Sequence, residues 1–264
     1  SAASPSPSAA TNAAPPALDL PPIPDLPGPL ADAPPMDLPV DARAIVNQPQ
    51  TSRVEVPFEL SQDELDRFAA DRQRFRAAAP KGAATAISIF GDTKMTGRKF
   101  IFVLDRSQSM GNQGLGVIRA ARNELTRAVS ELQSNHEFQI VAYHDRTVMI
   151  GRRELLPATE ENKNRVGPFI DQLVAIGSTQ HKYGIMAALS CKPDAIVLMT
   201  DGGYPGLGTS DLKTIRQQAR GVEVHCIEFG SGPSQQAINF MTRLAKENGG
   251  TYRYVDVNHW RRND

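Results

Sequence analysis

The chain is short of the residues that most metal, redox and membrane chemistry requires. It has two cysteines, Cys191 and Cys226, and one tryptophan in 264 residues. Its five histidines, His136, His144, His181, His225 and His259, are scattered without any His-x-x-x-His or Cys-x-x-Cys spacing, so a zinc centre has no support. No Gly-x-x-x-x-Gly-Lys-Ser/Thr run is present to cradle a phosphate. No stretch of eighteen apolar residues is present either, so no segment reads as a membrane-spanning helix. Twenty-nine basic residues cancel twenty-nine acidic ones, which argues against the basic footprint of a nucleic-acid binder. Cys191 falls at the end of an expected helix and Cys226 inside an expected strand. Both fit small buried apolar residues; a disulfide is not indicated, and their pairing stays open.

Proline is the exception to this ordinary composition, and it is unevenly placed. Residues 1–57 hold fourteen of the twenty prolines and no aromatic residue. Such a segment buries too little apolar surface to offset its ordering entropy, and it reads as a disordered Pro/Ala-rich linker. It is also mildly acidic: six acids against Arg43 and Arg53 give −4, which leaves +4 for the remainder. The chain begins at Ser1 rather than Met. An upstream signal or membrane anchor is therefore an expectation, with the head displayed outside the cytoplasm and the compartment left open. No membrane contact is expected of the chain itself.

The most informative stretch is Lys99-Phe100-Ile101-Phe102-Val103-Leu104-Asp105-Arg106-Ser107-Gln108-Ser109-Met110-Gly111. Five apolar residues run into an Asp, as in a buried parallel strand that delivers polar groups at its carboxyl end. In extended backbone, residues two apart project to one side, so Asp105, Ser107 and Ser109 can converge. A carboxylate and two hydroxyls are part of the oxygen shell that a hard divalent cation takes.

Asp-x-Ser-x-Ser after an apolar strand resembles the metal-ion-dependent adhesion site of von Willebrand factor A domains. Two further parts of that pattern follow in order. Gly177-Ser178-Thr179 precedes a helical stretch, and Ala195–Thr200 runs into Asp201-Gly202. The resemblance covers roughly Arg98 to Val257 and departs at Gln108, where many relatives have Gly. It implies Asp105, Ser107, Ser109, Thr179 and Asp201 as metal residues, with Mg2+, Mn2+ or Ca2+ as the ion. It also implies a non-catalytic module that captures an Asp or Glu from a protein partner. Two other readings of the same cleft stay open: metal-dependent phosphoryl transfer or hydrolysis, and a scaffold that makes no use of metal. An aspartyl-phosphate enzyme of the familiar kind would need a second Asp where this chain has Ser107.

The remaining elements alternate. Ser61-Gln62-Asp63-Glu64 is a capping box that opens a helix with Leu65, Phe68, Arg72 and Phe75 on one stripe, stopped by Pro80-Lys81-Gly82. Ala84–Phe90 reads as an added edge strand beside Lys99–Leu104. Helices are expected over Val117–Leu132, Asn162–Leu173, Lys182–Ser190, Asp211–Arg220 and Gln235–Asn248, the last ended by Gly249-Gly250. Strands are expected over Glu137–His144, Thr147–Ile150, Glu223–Phe229 and Tyr252–Val257. The pattern predicts an α/β fold, a doubly wound and mostly parallel sheet with helices on both faces and Thr147–Ile150 as its antiparallel edge. Four regions follow: a linker over 1–57, a helical extension with an edge strand over 58–97, the main domain over 98–258, and a tail over 259–264. Tyr204, Pro205 and Gly111–Leu115 would rim the cleft; His181, two residues after Thr179, could line it but reads as a surface or loop histidine.

Overall fold

The computed structural model describes residues 61–77, 85–91, 93–112, 114–234 and 239–258, all within one compact unit, Thr51–Asp264. The linker and tail expected at 1–57 and 259–264, and the helix stop at Pro80–Gly82, lie outside the described residues.

The centre of the fold is β3 (Lys99–Asp105), whose side chains from Phe100 to Asp105 are all buried. It pairs in parallel with β4 (Glu137–Tyr143) on one side and β7 (Ala195–Thr200) on the other. Beyond β7 come β8 (Glu223–Gly230) and β9 (Gly249–Asp256), also parallel. At the far edge, β5 (Thr147–Met149) and the short β6 (Leu156–Pro157) pair antiparallel with β4. The order β5-β4-β3-β7-β8-β9 is the mostly parallel sheet that the alternation predicts, with its antiparallel edge where expected.

Because side chains alternate across a strand, a continuous apolar run feeds two cores at once. Phe100, Phe102 and Leu104 join one core with α2 (Ile118–Ser130) and α4 (Val166–Asp171). Ile101 and Val103 join the other with α5 (His181–Leu189), α6 (Thr209–Gln218) and α7 (Phe240–Glu247). Helices therefore cover both faces. A polar residue on β3 has nowhere to go until the strand ends at Asp105.

Three expectations need correction. The strand expected over Ala84–Phe90 is β1 (Thr85–Ile89), but it does not border β3. It forms a separate antiparallel hairpin with β2 (Thr93–Gly97), a strand the sequence reading did not anticipate. The reason is topological: β4 and β7 occupy both hydrogen-bonding edges of β3, so the hairpin contributes Ile87, Ile89, Phe90 and Met95 to the core as a cover. The single helix expected over Asn162–Leu173 is two, α3 (Glu160–Asn164) and α4, broken at Arg165. Pro168 sits in the first turn of α4, where its missing N–H is not needed; in one continuous helix it would leave the Asn164 carbonyl without its donor and its ring would crowd that carbonyl. The last helix ends at Glu247, and while Gly249 takes the left-handed φ of 70° expected after a helix, both glycines already belong to β9.

The capping box forms as expected at the start of α1 (Gln62–Ala77): Ser61 N–H donates to Glu64 Oε2 at 2.8 Å and Glu64 N–H to Ser61 Oγ at 3.3 Å. Of its apolar stripe, Leu65 is buried and Phe68 lies under the Arg216 guanidinium, 4.3 Å from ring centroid to cation. The side chains of Arg72 and Phe75 lie outside the described set. Both cysteines are free; Cys226 is buried, and burial pushes its thiol far above the usual range.

Candidate metal centre

Asp105 closes β3 at the carboxyl edge of the sheet, fully buried. Its Oδ1 accepts the Ser107 N–H at 2.8 Å and its Oδ2 accepts the Thr200 hydroxyl at 2.6 Å. The chain then turns through a 3-10 segment, Gln108–Met110. This turn brings Ser107 Oγ and Ser109 Oγ to 3.2 Å from each other, with Ser107 buried and Ser109 exposed. Burial pushes the Asp105 carboxyl upward, and the nearby Asp201 pushes it the same way; His181 and the Thr200 hydrogen bond pull against them.

The loop carrying Thr179 is stitched directly onto this turn. Ile176 N–H donates to Arg106 O at 3.0 Å and Gln108 N–H to Gly177 O at 3.3 Å, while an Arg106 guanidinium nitrogen reaches Val174 O at 2.9 Å. Gly177 makes this approach possible. Its φ is 76°, and a Cβ there would stand 2.8 Å from His144 Nδ1. Thr179 is buried two residues further on, just before α5.

The Asp201 loop arrives from β7. Gly202 N–H donates to Thr200 Oγ1 at 3.1 Å and Gly203 N–H to Asp201 Oδ1 at 3.1 Å. Asp201 is half-buried. Beneath these loops lies His181, expected at the surface but buried at 1 % exposure. Its Nε2 meets Gly203 O at 3.0 Å and its Nδ1 meets the Tyr143 hydroxyl at 2.8 Å. This correction follows from position: the first residue of α5 faces the second core rather than solvent.

The structure thus gathers the three predicted loops at one end of the sheet and adds Thr200 and Tyr143, to which the sequence reading gave no part in the site, together with His181, which that reading treated as a surface or loop residue beside the cleft. Thr200 was findable. If the apolar runs of β3 and β7 are aligned in parallel, Leu104 faces Met199, and the next step puts Thr200 beside Asp105. Tyr143 is likewise level with Asp105 across the β3–β4 ladder. His181 carried no such signal, because its place depends on the path of two loops.

Hydroxyls and two carboxylates suit a hard cation with oxygen ligands. Neighbouring ligands about an octahedral ion with bonds near 2.1 Å stand about 3.0 Å apart, and the Ser107 and Ser109 oxygens approach that spacing. Among the described residues no group of three or more His, Cys, Asp or Glu side chains is placed to hold a metal ion by itself, so the hydroxyls are an essential part of this donor set.

The comparisons with known proteins agree with this architecture. Human inter-alpha-trypsin inhibitor heavy chain H4 is 24 % identical over 176 residues, 60 % of this chain. The mouse inter-alpha-trypsin inhibitor heavy chain 4 matches to the same extent. The chain spans only 18 % of the length of either relative. Among solved structures, von Willebrand factor type A from Catenulispora acidiphila superposes with a TM-score of 0.53 at 18 % identity, covering 65 % of this chain and 42 % of that one. The family model for the von Willebrand factor type A domain matches residues 98–254, which run from the start of the central strand almost to the end of the last. By that match and by its fold, the chain belongs to the von Willebrand factor type A domain family.

Proposed function

We propose that the chain is a divalent-metal-dependent protein-binding module whose ion is held by Asp105, Ser107, Ser109, Thr179 and Asp201. Domains of this family generally mediate protein–protein interaction, often through a metal. The observation that carries the reading for this chain is the buried Asp105 carboxylate, which neutral donors orient while no Lys or Arg pairs with it among the described residues.

Each residue has a distinct task in this reading. Asp105 supplies fixed negative charge, held in one rotamer by the Ser107 amide and the Thr200 hydroxyl. Ser107 and Ser109 offer neutral oxygens side by side. Asp201 keeps Oδ1 on the Gly203 amide, and its other oxygen would be a direct or water-mediated partner of the ion. A bound Mg2+, Mn2+ or Ca2+ would supply an electrophile that accepts a carboxylate oxygen from a protein partner. In this reading residues 98–258 are the binding head, 58–97 an extension and 1–57 a linker.

Binding is favoured over turnover because, among the described residues, no base stands beside either serine hydroxyl of the loop. Ser107 Oγ has Ser109 Oγ as its neighbour, and both nitrogens of His181 are already engaged. Titration calorimetry with MgCl2, MnCl2 and CaCl2 against the wild type and Asp105→Ala tests the reading. Binding is expected in the wild type and lost in the variant, without hydrolysis of a phosphate ester. Turnover that disappears with Asp105 would reverse the conclusion in favour of catalysis.

A further inference from the structure

The donors that fix Asp201 trace back to a buried relay that crosses the floor of the site. Gly203 O can only accept, so His181 Nε2 carries the proton and donates to it at 3.0 Å. Nδ1 of the neutral ring must then accept, and the Tyr143 hydroxyl donates to it at 2.8 Å. The same Gly203 residue gives its N–H to Asp201 Oδ1 at 3.1 Å. The Phe240 ring, 4.8 Å from the imidazole centroid, closes the remaining side. Each link fixes the next, from the central sheet at Tyr143, through the first residue of the helix that follows Thr179, to the carboxylate of the third loop.

We propose that His181 is a positioning residue for the metal centre: as the neutral Nε2–H tautomer it ties the Thr179 loop to the Asp201 loop and sets the orientation of the Asp201 carboxylate. This rests on the metal-binding reading above. The histidine does not touch the ion; it acts through Gly203. Outer hydrogen-bond partners of this kind typically contribute 10- to 100-fold in metal affinity.

The test uses the whole 264-residue chain with Mg2+ alone as the probe. His181→Phe keeps a ring against Phe240 but removes both hydrogen bonds, and it should weaken Mg2+ binding by about 10-fold or more. His181→Gln can still donate to Gly203 O and should recover most of that loss. Tyr143→Phe, which removes one hydroxyl and keeps the ring, should give a smaller weakening and carries the test if His181→Phe does not fold. Leu125→Ala, on the buried face of α2, serves as a comparator that lowers thermal stability while leaving Mg2+ affinity within about twofold; a merely structural histidine would behave like it. Side-chain 15N–1H correlation spectra should show His181 protonated at Nε2 only, with or without Mg2+. Variants that bind Mg2+ as the wild type does, or a ring protonated at Nδ1, would overturn the inference while leaving the metal reading intact. A wild-type chain that binds no Mg2+ would overturn both.

Discussion

Two buried carboxylates in this molecule are handled in opposite ways. Glu247, at the end of α7, is 1 % exposed, and the protein surrounds it with its own cations: Arg243 Nε at 2.8 Å and Arg216 Nη1 at 3.2 Å. Arg216 in turn lies over Phe68, so this network also seats α1. Asp105 is at least as deeply buried and, among the described residues, receives only an amide and a hydroxyl. Removing a charge from water without a counter-charge is costly, and a buried group so placed either takes a proton or recruits a cation. Glu247 carries its compensation within the fold. At Asp105 the compensation has to come from solution, which is the physical basis for reading that end of the sheet as a site.

The comparison can be broken most forcefully at Glu247. Truncation in Glu247→Ala leaves Arg243, 2 % exposed, without that carboxylate, and breaking a buried pair from one side costs about 3–5 kcal/mol. Urea denaturation should show that loss whether or not Mg2+ is present. Asp105→Asn should behave in the reverse manner. The amide oxygen still accepts from Ser107, the buried charge is gone, and the metal-free chain should be no less stable than the wild type. What the variant forfeits is the stabilisation by ligand, about 2.7 kcal/mol at a Mg2+ concentration 100 times the dissociation constant. Thermal melts with Mg2+ and with EDTA separate the two cases. If Asp105→Asn instead destabilises the metal-free chain as severely as Glu247→Ala, the contrast between the two carboxylates is wrong.

A finer cut is Thr200→Val, which keeps the shape of the side chain but removes the donor to Asp105 Oδ2 and the acceptor for Gly202 N–H. A hydrogen bond to a charged group contributes about 1.5–3 kcal/mol. Part of that should be seen as weaker Mg2+ binding in calorimetry, because both Asp105 and the Asp201 loop lose their common anchor. Unchanged affinity would mean that Thr200 supports the fold and not the centre.

How much of this was legible follows the same division. The β3 and β7 strands could be read because each carries an apolar run of five that leads to an Asp, directly at Asp105 and after Thr200 at Asp201, and both the sheet and its carboxyl edge follow from that. Nothing in the short, half-polar Thr93–Gly97 announced a strand, since its partner is chosen by a turn and not by a hydrophobic signal. Arg243 and Glu247 stand four apart on a helix, a spacing that on sequence alone describes a solvated pair; their burial depends on how α7 meets β8 and β9. His181 is the same kind of case. Side chains whose role is set by the meeting of distant loops leave no periodic trace, whereas those set by a strand end do.

A third buried titratable group sharpens the comparison, with the smallest expected effect. His136 is 1 % exposed, its Nδ1 accepts the Gln133 N–H at 3.0 Å, and its ring stands edge-on to Phe100 at 5.6 Å. It is neither paired like Glu247 nor left to a cation like Asp105, and it keeps neutral: burial, with Arg98 and Lys163 nearby, holds it below the ordinary value of 6.5. Protonation would convert Nδ1 from acceptor to donor and oppose the Gln133 amide. The unfolded chain, with its histidine at the ordinary value, therefore takes up this proton first as the pH drops. Stability contributed by the neutral ring is complete above about pH 6.5 and declines from there down to the folded pKa, below which it is lost. His136→Asn retains an acceptor for the Gln133 amide and cannot titrate. Urea midpoints measured from about pH 7.5 to 5 should fall less steeply for the variant than for the wild type. The remaining slope belongs to the other histidines held low by burial, His144 and His181. Parallel slopes would show that His136 is protonated at no cost, and that burial at this end of the sheet is less strict than at Asp105.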